Sequence, residues 1–333
     1  MTAPGSLTLA LDVGGTKMAA GLVSGEHRLV DYAVTPTPVG GDAEALYETA
    51  VFVINAVLSG ESAPVAALGI GCGGPMKWPS GDVSPLNIPG WRDFPLRDRL
   101  ADEFGLPTRI HNDAVCLTIG EHLIGAGRGC DDILGMILAT GVGGGLIMDG
   151  RLINGASGNA GHIGHIVVDP EGPSCECGGR GCLEAVARGP ALVQWAEHHG
   201  WEPEAAGDAI ELADAARAGD ELAAAAFRRC GAAVGTAVAG VAALADLQAV
   251  SIGGGLSHAA DLILPAIYDS FRQHAGLDFV QRCRIVLASP DAGLVGAAAL
   301  FREEYWPGLR GLAEPPVMAL PQQSAGGVGK GLQ

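Results

Sequence analysis

One pattern occurs twice in this chain and limits what it can fold into. Leu7 to Val13 alternates like a strand and runs into Asp12-Val13-Gly14-Gly15-Thr16-Lys17. Met18 to Val23 reads as a second strand, Ser24-Gly25 turns, and Arg28 to Thr35 reads as a third. Ile133 to Ala139 repeats the opening and ends in Thr140-Gly141-Val142-Gly143-Gly144-Gly145. Leu146 to Met148 continues as a strand, Asp149-Gly150 turns, and Arg151 to Ile153 follows. In both copies the glycines stand between two strands. A P-loop or a dinucleotide fingerprint needs a strand, a glycine loop and then a helix, so neither fits. The repetition predicts an α/β chain of two lobes of related build.

Between the copies, Asp42 to Val57 is amphipathic and predicts a helix, and Val65 to Ile70 predicts an apolar strand. Gly69-Ile70-Gly71-Cys72-Gly73-Gly74 matches G-x-G-x-x-G, but Pro75 and the turn-rich residues after it deny it a helix. Thr108 to Asn112 predicts a short strand and Ala114 to Ile124 a helix. Residues 183–245 are Ala-rich and helical, interrupted at Gly189-Pro190. Ala249 to Ile252 is a strand ending in Gly253-Gly254-Gly255-Leu256-Ser257, before a helix, and Leu294 to Tyr305 is a final helix. The expected division is a small lobe over 1–117, completed by a helix at 294–306, and a large lobe over 118–293. The tail at 313–333, with Pro315-Pro316, is expected to be disordered. Three glycine-rich turns thus end strands at 14–17, 141–145 and 253–255. With Asp12, Thr16, Lys17 and Thr140 beside them, their backbone N–H groups predict a nucleotide cleft between the lobes.

Hydrophobic residues make up 48% of the 333 and aromatics 5%, so small aliphatic side chains must fill the cores. The 52 glycines read as turns that approach ligands. A net charge of −17 argues against nucleic acid or an anionic membrane as partner. No run reads as the roughly 18–20 apolar residues of a membrane span, and the N-terminus lacks a secretion signal. Cys72, Cys116, Cys130, Cys230 and Cys283 are scattered, which fits reduced thiols and a cytoplasmic location.

The other three cysteines are clustered. Gly161 to Glu184 holds His165, Cys175, Cys177 and Cys182, with Gly178, Gly179 and Gly181 to let the backbone fold tightly. Zinc takes four such ligands tetrahedrally, so a structural zinc clip is expected; disulfides are the other reading of the cysteines.

The motifs together resemble the ROK family, bacterial sugar kinases with related transcriptional repressors. DVGGTK at 12–17, GCGGPM at 71–76, NIPGW at 87–91, ND at 112–113, ATGVGGG at 139–145, GHIGH at 161–165, CECGGRGC at 175–182 and IGGGLS at 252–257 keep the family's order. The resemblance implies the actin-like ATPase fold, with ribonuclease H-like lobes, an interlobe cleft and a zinc-stapled loop. It implies ATP-dependent phosphorylation of a hexose or hexosamine, usually at O6, and a homodimer or tetramer. Asp113 would be the catalytic base. Gly73, Asn87, Asn112, His162, His165 and Glu184 would join it around the sugar. Gly14, Gly15, Thr16 and Lys17 match a first phosphate loop, Thr140, Gly141, Val142 and Gly143 a second, and Gly254 and Gly255 the adenosine side. Asp12 would hold Mg²⁺, which takes hard oxygen ligands, and His165 would serve the zinc as well as the sugar.

One residue departs from the family pattern. His162 stands where relatives usually carry Glu, and the same GHIGH run occurs in N-acetylmannosamine kinases. Neutral imidazole offers one donor and one acceptor, and a donor could serve an N-acyl carbonyl. The sequence therefore leans toward an amino or N-acyl hexose, with glucose as the alternative acceptor and polyphosphate as an alternative donor. A sugar-sensing regulator is the competing class. Only six residues precede the first strand, so a DNA-binding domain is not expected here.

Overall fold

Both copies of the repeated pattern form the same sheet. The computed structural model describes residues 6–306 other than 62 and 79, so the expected tail at 313–333 lies outside the described residues. In the first sheet β1 (Leu7–Val13), β2 (Lys17–Val23) and β3 (Leu29–Pro36) form an antiparallel meander. β4 (Val65–Cys72) lies parallel to β1 on its other side. A two-stranded hairpin, β5 (Met76–Lys77) and β6 (Asp82–Val83), precedes β7 (Thr108–Asn112), which is parallel to β4. The strand order is β3-β2-β1-β4-β7. The second sheet takes β8 (Ile133–Leu138), β9 (Val142–Met148), β10 (Arg151–Leu152), β11 (Ala249–Gly253) and β12 (Arg284–Leu287) in the order β10-β9-β8-β11-β12. Its pairings have the same polarities as those of the first. Central strands covered on both faces need continuous apolar runs, and Leu9, Leu11, Leu68 and Ile70 are fully buried.

Helices fill three layers around the sheets. α1 (Ala43–Leu58), with its first turn capped by Asp42, packs over the first sheet, and α2 (Leu96–Phe104) joins the same core. α3 (Asp113–Ile124) lies on β8 and β9, α10 (Ala292–Ala298) lies on β1 and β4, and these two helices cross between the sheets. The crossing is close: a β-carbon at Gly120 would collide with the Ala292 carbonyl, and one at Gly296 with the Cys116 carbonyl. The second core is built on β8 and β11 by α4 (Leu183–Ala187), α5 (Gly189–His198), α6 (Ala209–Arg217), α7 (Glu221–Ala245), α8 (Ala260–His274) and α9 (Asp278–Gln281).

Several expectations change. α3 runs unbroken through the expected boundary at 117/118 and packs on the second sheet, so the chain changes lobe at Asn112-Asp113. The final helix begins at Ala292 and ends at Ala298, tightening into a 3₁₀ turn over Ala299–Phe301. Tyr305 and Trp306 then fold back, the Tyr305 hydroxyl 2.6 Å from His122 Nδ1 and the Trp306 ring 4.4 Å from Trp78. Tertiary packing overrides helix propensity there. Pro190 sits in the first turn of α5, where its missing N–H costs nothing. Among the described residues α7 is, contrary to the sequence reading, long and apolar enough to cross a membrane. Its apolarity comes largely from alanine, half of its apolar window is buried, and it packs along α8. Finally, glycines such as Gly120 and Gly296 mark helix contact rather than ligand approach.

Candidate active site

The first and second glycine turns meet in the cleft. β1 carries Asp12 at its end, and the Gly14 N–H closes the turn on the Lys17 carbonyl at 3.0 Å. Thr37, buried behind it, donates its hydroxyl to the Gly14 carbonyl at 2.7 Å. That bond holds the turn from behind and leaves Thr16 and Lys17 exposed. Across the cleft, Thr16 Oγ1 lies 3.4 Å from Thr140 Oγ1. The second turn is fixed by the Ala139 N–H to the Gly141 carbonyl at 2.9 Å, and by Glu184, whose Oε2 accepts the Val142 N–H at 2.8 Å. A β-carbon at Gly143 would lie 3.1 Å from Ala114 Cβ at the start of α3. The third turn backs onto the second. Gly254 has φ 91°, and a β-carbon there would collide with the Leu138 carbonyl. Gly255 is exposed, with open space around its α-carbon.

Two carboxylates stand at the head of this cleft. The Ala114 N–H is shared between Asn112 Oδ1 at 3.0 Å and Asp113 Oδ1 at 2.8 Å, so the Asn-Asp pair caps α3 and also faces the cleft. Burial raises the Asp113 pKa to about 6, against the lowering effect of the Ala114 N–H. Asp12 is raised to about 7, first by burial and then by repulsion from Asp113, with Lys17 opposing.

The expected sugar side gathers on the same face. Asn87 is exposed, its Nδ2 2.8 Å from where a β-carbon at Gly15 would sit and its Oδ1 3.5 Å from that position at Gly73. The neighbouring Gly74 looks onto both Asn112 Nδ2, at 3.3 Å from its β-carbon position, and His162 Nε2, at 3.7 Å. His162 Nδ1 is 2.9 Å from the Asn159 carbonyl, which can only accept, so Nδ1 carries the proton. Burial also lowers the His162 pKa. The neutral ring therefore presents Nε2 toward Gly74 as a bare acceptor. Glu184 has one oxygen engaged with the second turn, as above.

His165 stands parallel to His162 with ring centroids 6.2 Å apart, and turns its Nδ1 away to Cys175 Sγ at 3.8 Å. The ligand atoms of His165, Cys175, Cys177 and Cys182 all lie within 4.8 Å of one another. Cys177 Sγ and Cys182 Sγ are 3.7 Å apart. That is far beyond a disulfide bond of about 2.05 Å. It matches the edge of about 3.8 Å for a tetrahedron with metal–sulfur bonds of about 2.3 Å. The donor set and spacing fit zinc.

The model of the ROK family matches residues 8–304. The chain belongs to the ROK family. A glucokinase of Thermotoga maritima is 37% identical over 312 residues, 89% of this chain and 97% of that one. An N-acetylmannosamine kinase of Citrobacter koseri is 35% identical over 296 residues, 88% and 98% of the two chains. The crystal structure of a ROK family glucokinase from Streptomyces griseus, in complex with glucose and AMPPNP, superposes with a TM-score of 0.79 at 35% identity, over 89% of this chain and 99% of that one. The α/β architecture expected from the motifs is thus the ROK fold.

Residues that the ROK motifs did not single out also shape this site. Thr37 and Asn159 fix the first turn and His162, and neither has a pattern that announces it. His111, which no motif singles out, is 1% exposed and accepts the Asn112 N–H at Nδ1, 2.8 Å away. Only its place before Asn112 could have drawn notice.

Proposed function

We propose that this chain transfers the terminal phosphoryl group of ATP to a hydroxyl of a hexose, the 6-hydroxyl being the acceptor that the family implies. The observation that carries the reading is Asp113. Its carboxylate stands beside Asn112, with Oδ1 fixed by the Ala114 N–H. There it accepts the proton of the attacking hydroxyl, whose oxygen forms the new bond to phosphorus as the bond to ADP breaks. Thr16 and Thr140, 3.4 Å apart, are close enough for both hydroxyls to donate to one phosphate oxygen. Lys17 adds a positive charge beside them. Asp12 would hold Mg²⁺, which neutralises phosphate charge when bound, and the zinc set would stiffen the loop that carries His162 and His165.

The acceptor reading of His162 bears on the sugar. Its donor is taken up by Asn159, so the argument for an N-acyl carbonyl loses its hydrogen bond. A bare acceptor at Nε2 instead suits a sugar hydroxyl, as the carboxylate of the usual Glu would. We place glucose ahead of N-acetylmannosamine for this reason. A coupled ADP-release assay over glucose, mannose, glucosamine and their N-acetyl derivatives tests both levels. The expected result is the highest kcat/KM for glucose, with His162→Glu keeping that preference. A higher value for N-acetylmannosamine overturns the sugar, and no ADP release with any sugar overturns the kinase.

A further inference from the structure

His111 links the two lobes directly behind the Asn112-Asp113 pair. It is the penultimate residue of β7 in the first lobe, and its Nδ1 accepts the Asn112 N–H at 2.8 Å. A ring nitrogen that accepts carries no proton, so in the neutral ring the proton is on Nε2. Nε2 lies 2.7 Å from Asn154 Oδ1, which accepts it. Burial lowers the His111 pKa to about 4, which keeps the ring neutral. Asn154 belongs to the second lobe, just past β10, on the segment that leads through Asn159 to His162. Trp78 closes the junction: its ring is 4.7 Å from that of His111, and it packs on Gly158 of the same segment.

The geometry points to His111 as a positioning residue that aligns Asn112-Asp113 only when the 154–162 segment is in place, through its hydrogen bond to Asn154. His111 never touches substrate. It sets the backbone from which the base projects, and Asn154 sets the ring. This rests on the kinase reading and adds to it a coupling between the sugar-binding loop and the base. Small displacements matter at such a point, since about 1 Å of misplacement can cost about 100-fold in rate.

The test is a double-mutant cycle on the full chain, with His111→Asn, Asn154→Ala and the double variant. His111→Asn keeps a short acceptor for the Asn112 N–H but no longer reaches Asn154. Each single variant is expected to lower kcat about tenfold with the KM for ATP within about twofold, a split that general loosening would not give. The double variant is expected to be no slower than the slower single, because both remove one bond. A double variant slower by the product of the two effects overturns the coupling. If His111→Asn does not fold, Asn154→Ala decides alone, and a kcat within about twofold of wild type overturns it. An inactive wild type overturns the kinase reading and this inference together, whereas an active wild type with multiplicative variants overturns this inference alone.

Discussion

At the scale of single residues, the site turns on two half-buried carboxyls, Asp12 and Asp113. Asp113 must be ionised to act as a base, so kcat/KM is expected to fall tenfold per unit below about pH 6. Asp113→Asn is expected to lose about 10²–10⁴-fold in kcat while still binding sugar and ATP. The stability effect has the opposite sign. The folded pKa of about 6 lies above the ordinary value of 3.8, so the fold holds the proton more tightly than the unfolded chain. That contribution is complete below pH 3.8 and is lost as pH rises through about 6. The thermal midpoint of Asp113→Asn relative to wild type should therefore climb from pH 4 to pH 8. A flat difference, or turnover near normal in the folded variant, would move the base elsewhere. The Asn-Asp pair was legible as the cap of α3, since Asn and Asp are favoured at that position. The direction of His162 was not, because a tautomer is set by Asn159 O, a partner that composition does not reveal.

At the scale of elements, the zinc loop and the α3–α10 crossing make opposite cases. The cluster was legible because its residues lie close in sequence: candidate ligand atoms of His165, Cys175, Cys177 and Cys182 come within 4.8 Å of one another. The crossing was not. Gly120 meets Ala292, and Gly296 meets Cys116, from distant parts of the chain, and nothing near either glycine distinguishes it from a turn residue. β12 escaped because its four residues are too short a run to show a period. The loop's role can be checked by metal analysis. One zinc per chain is expected, and Cys177→Ser should lower zinc content and the thermal midpoint. The KM for sugar should rise more than that for ATP, because His165 stands beside His162. Zinc content unchanged in Cys177→Ser would remove the clip.

At the scale of the whole molecule, the duplicated sheet was legible because strand–glycine–strand is a local pattern repeated in full. How the halves meet depends on contacts between them, among them Thr16 with Thr140, His111 with Asn154, and Trp78 with Gly158. The first is at the phosphate turns and the other two are behind the sugar side, while α3 and α10 cross between the sheets. Two sheets joined through packed helices are expected to move by one lobe rotating against the other. On the proposed reading, a sugar held by Asn87 and Asn112 on one lobe and His162 on the other would gain its full set of hydrogen bonds only when the lobes approach. Its binding energy therefore favours the closed form. Closure also excludes water, which limits loss of ATP to hydrolysis. Small-angle scattering of the full chain should show a smaller radius of gyration with saturating sugar than without. Asn154→Ala should weaken that change, because it removes one of the contacts between the lobes. Superimposable profiles with and without sugar, in a preparation that phosphorylates that sugar, would mean that the base and the phosphate turns are already assembled before the substrate arrives.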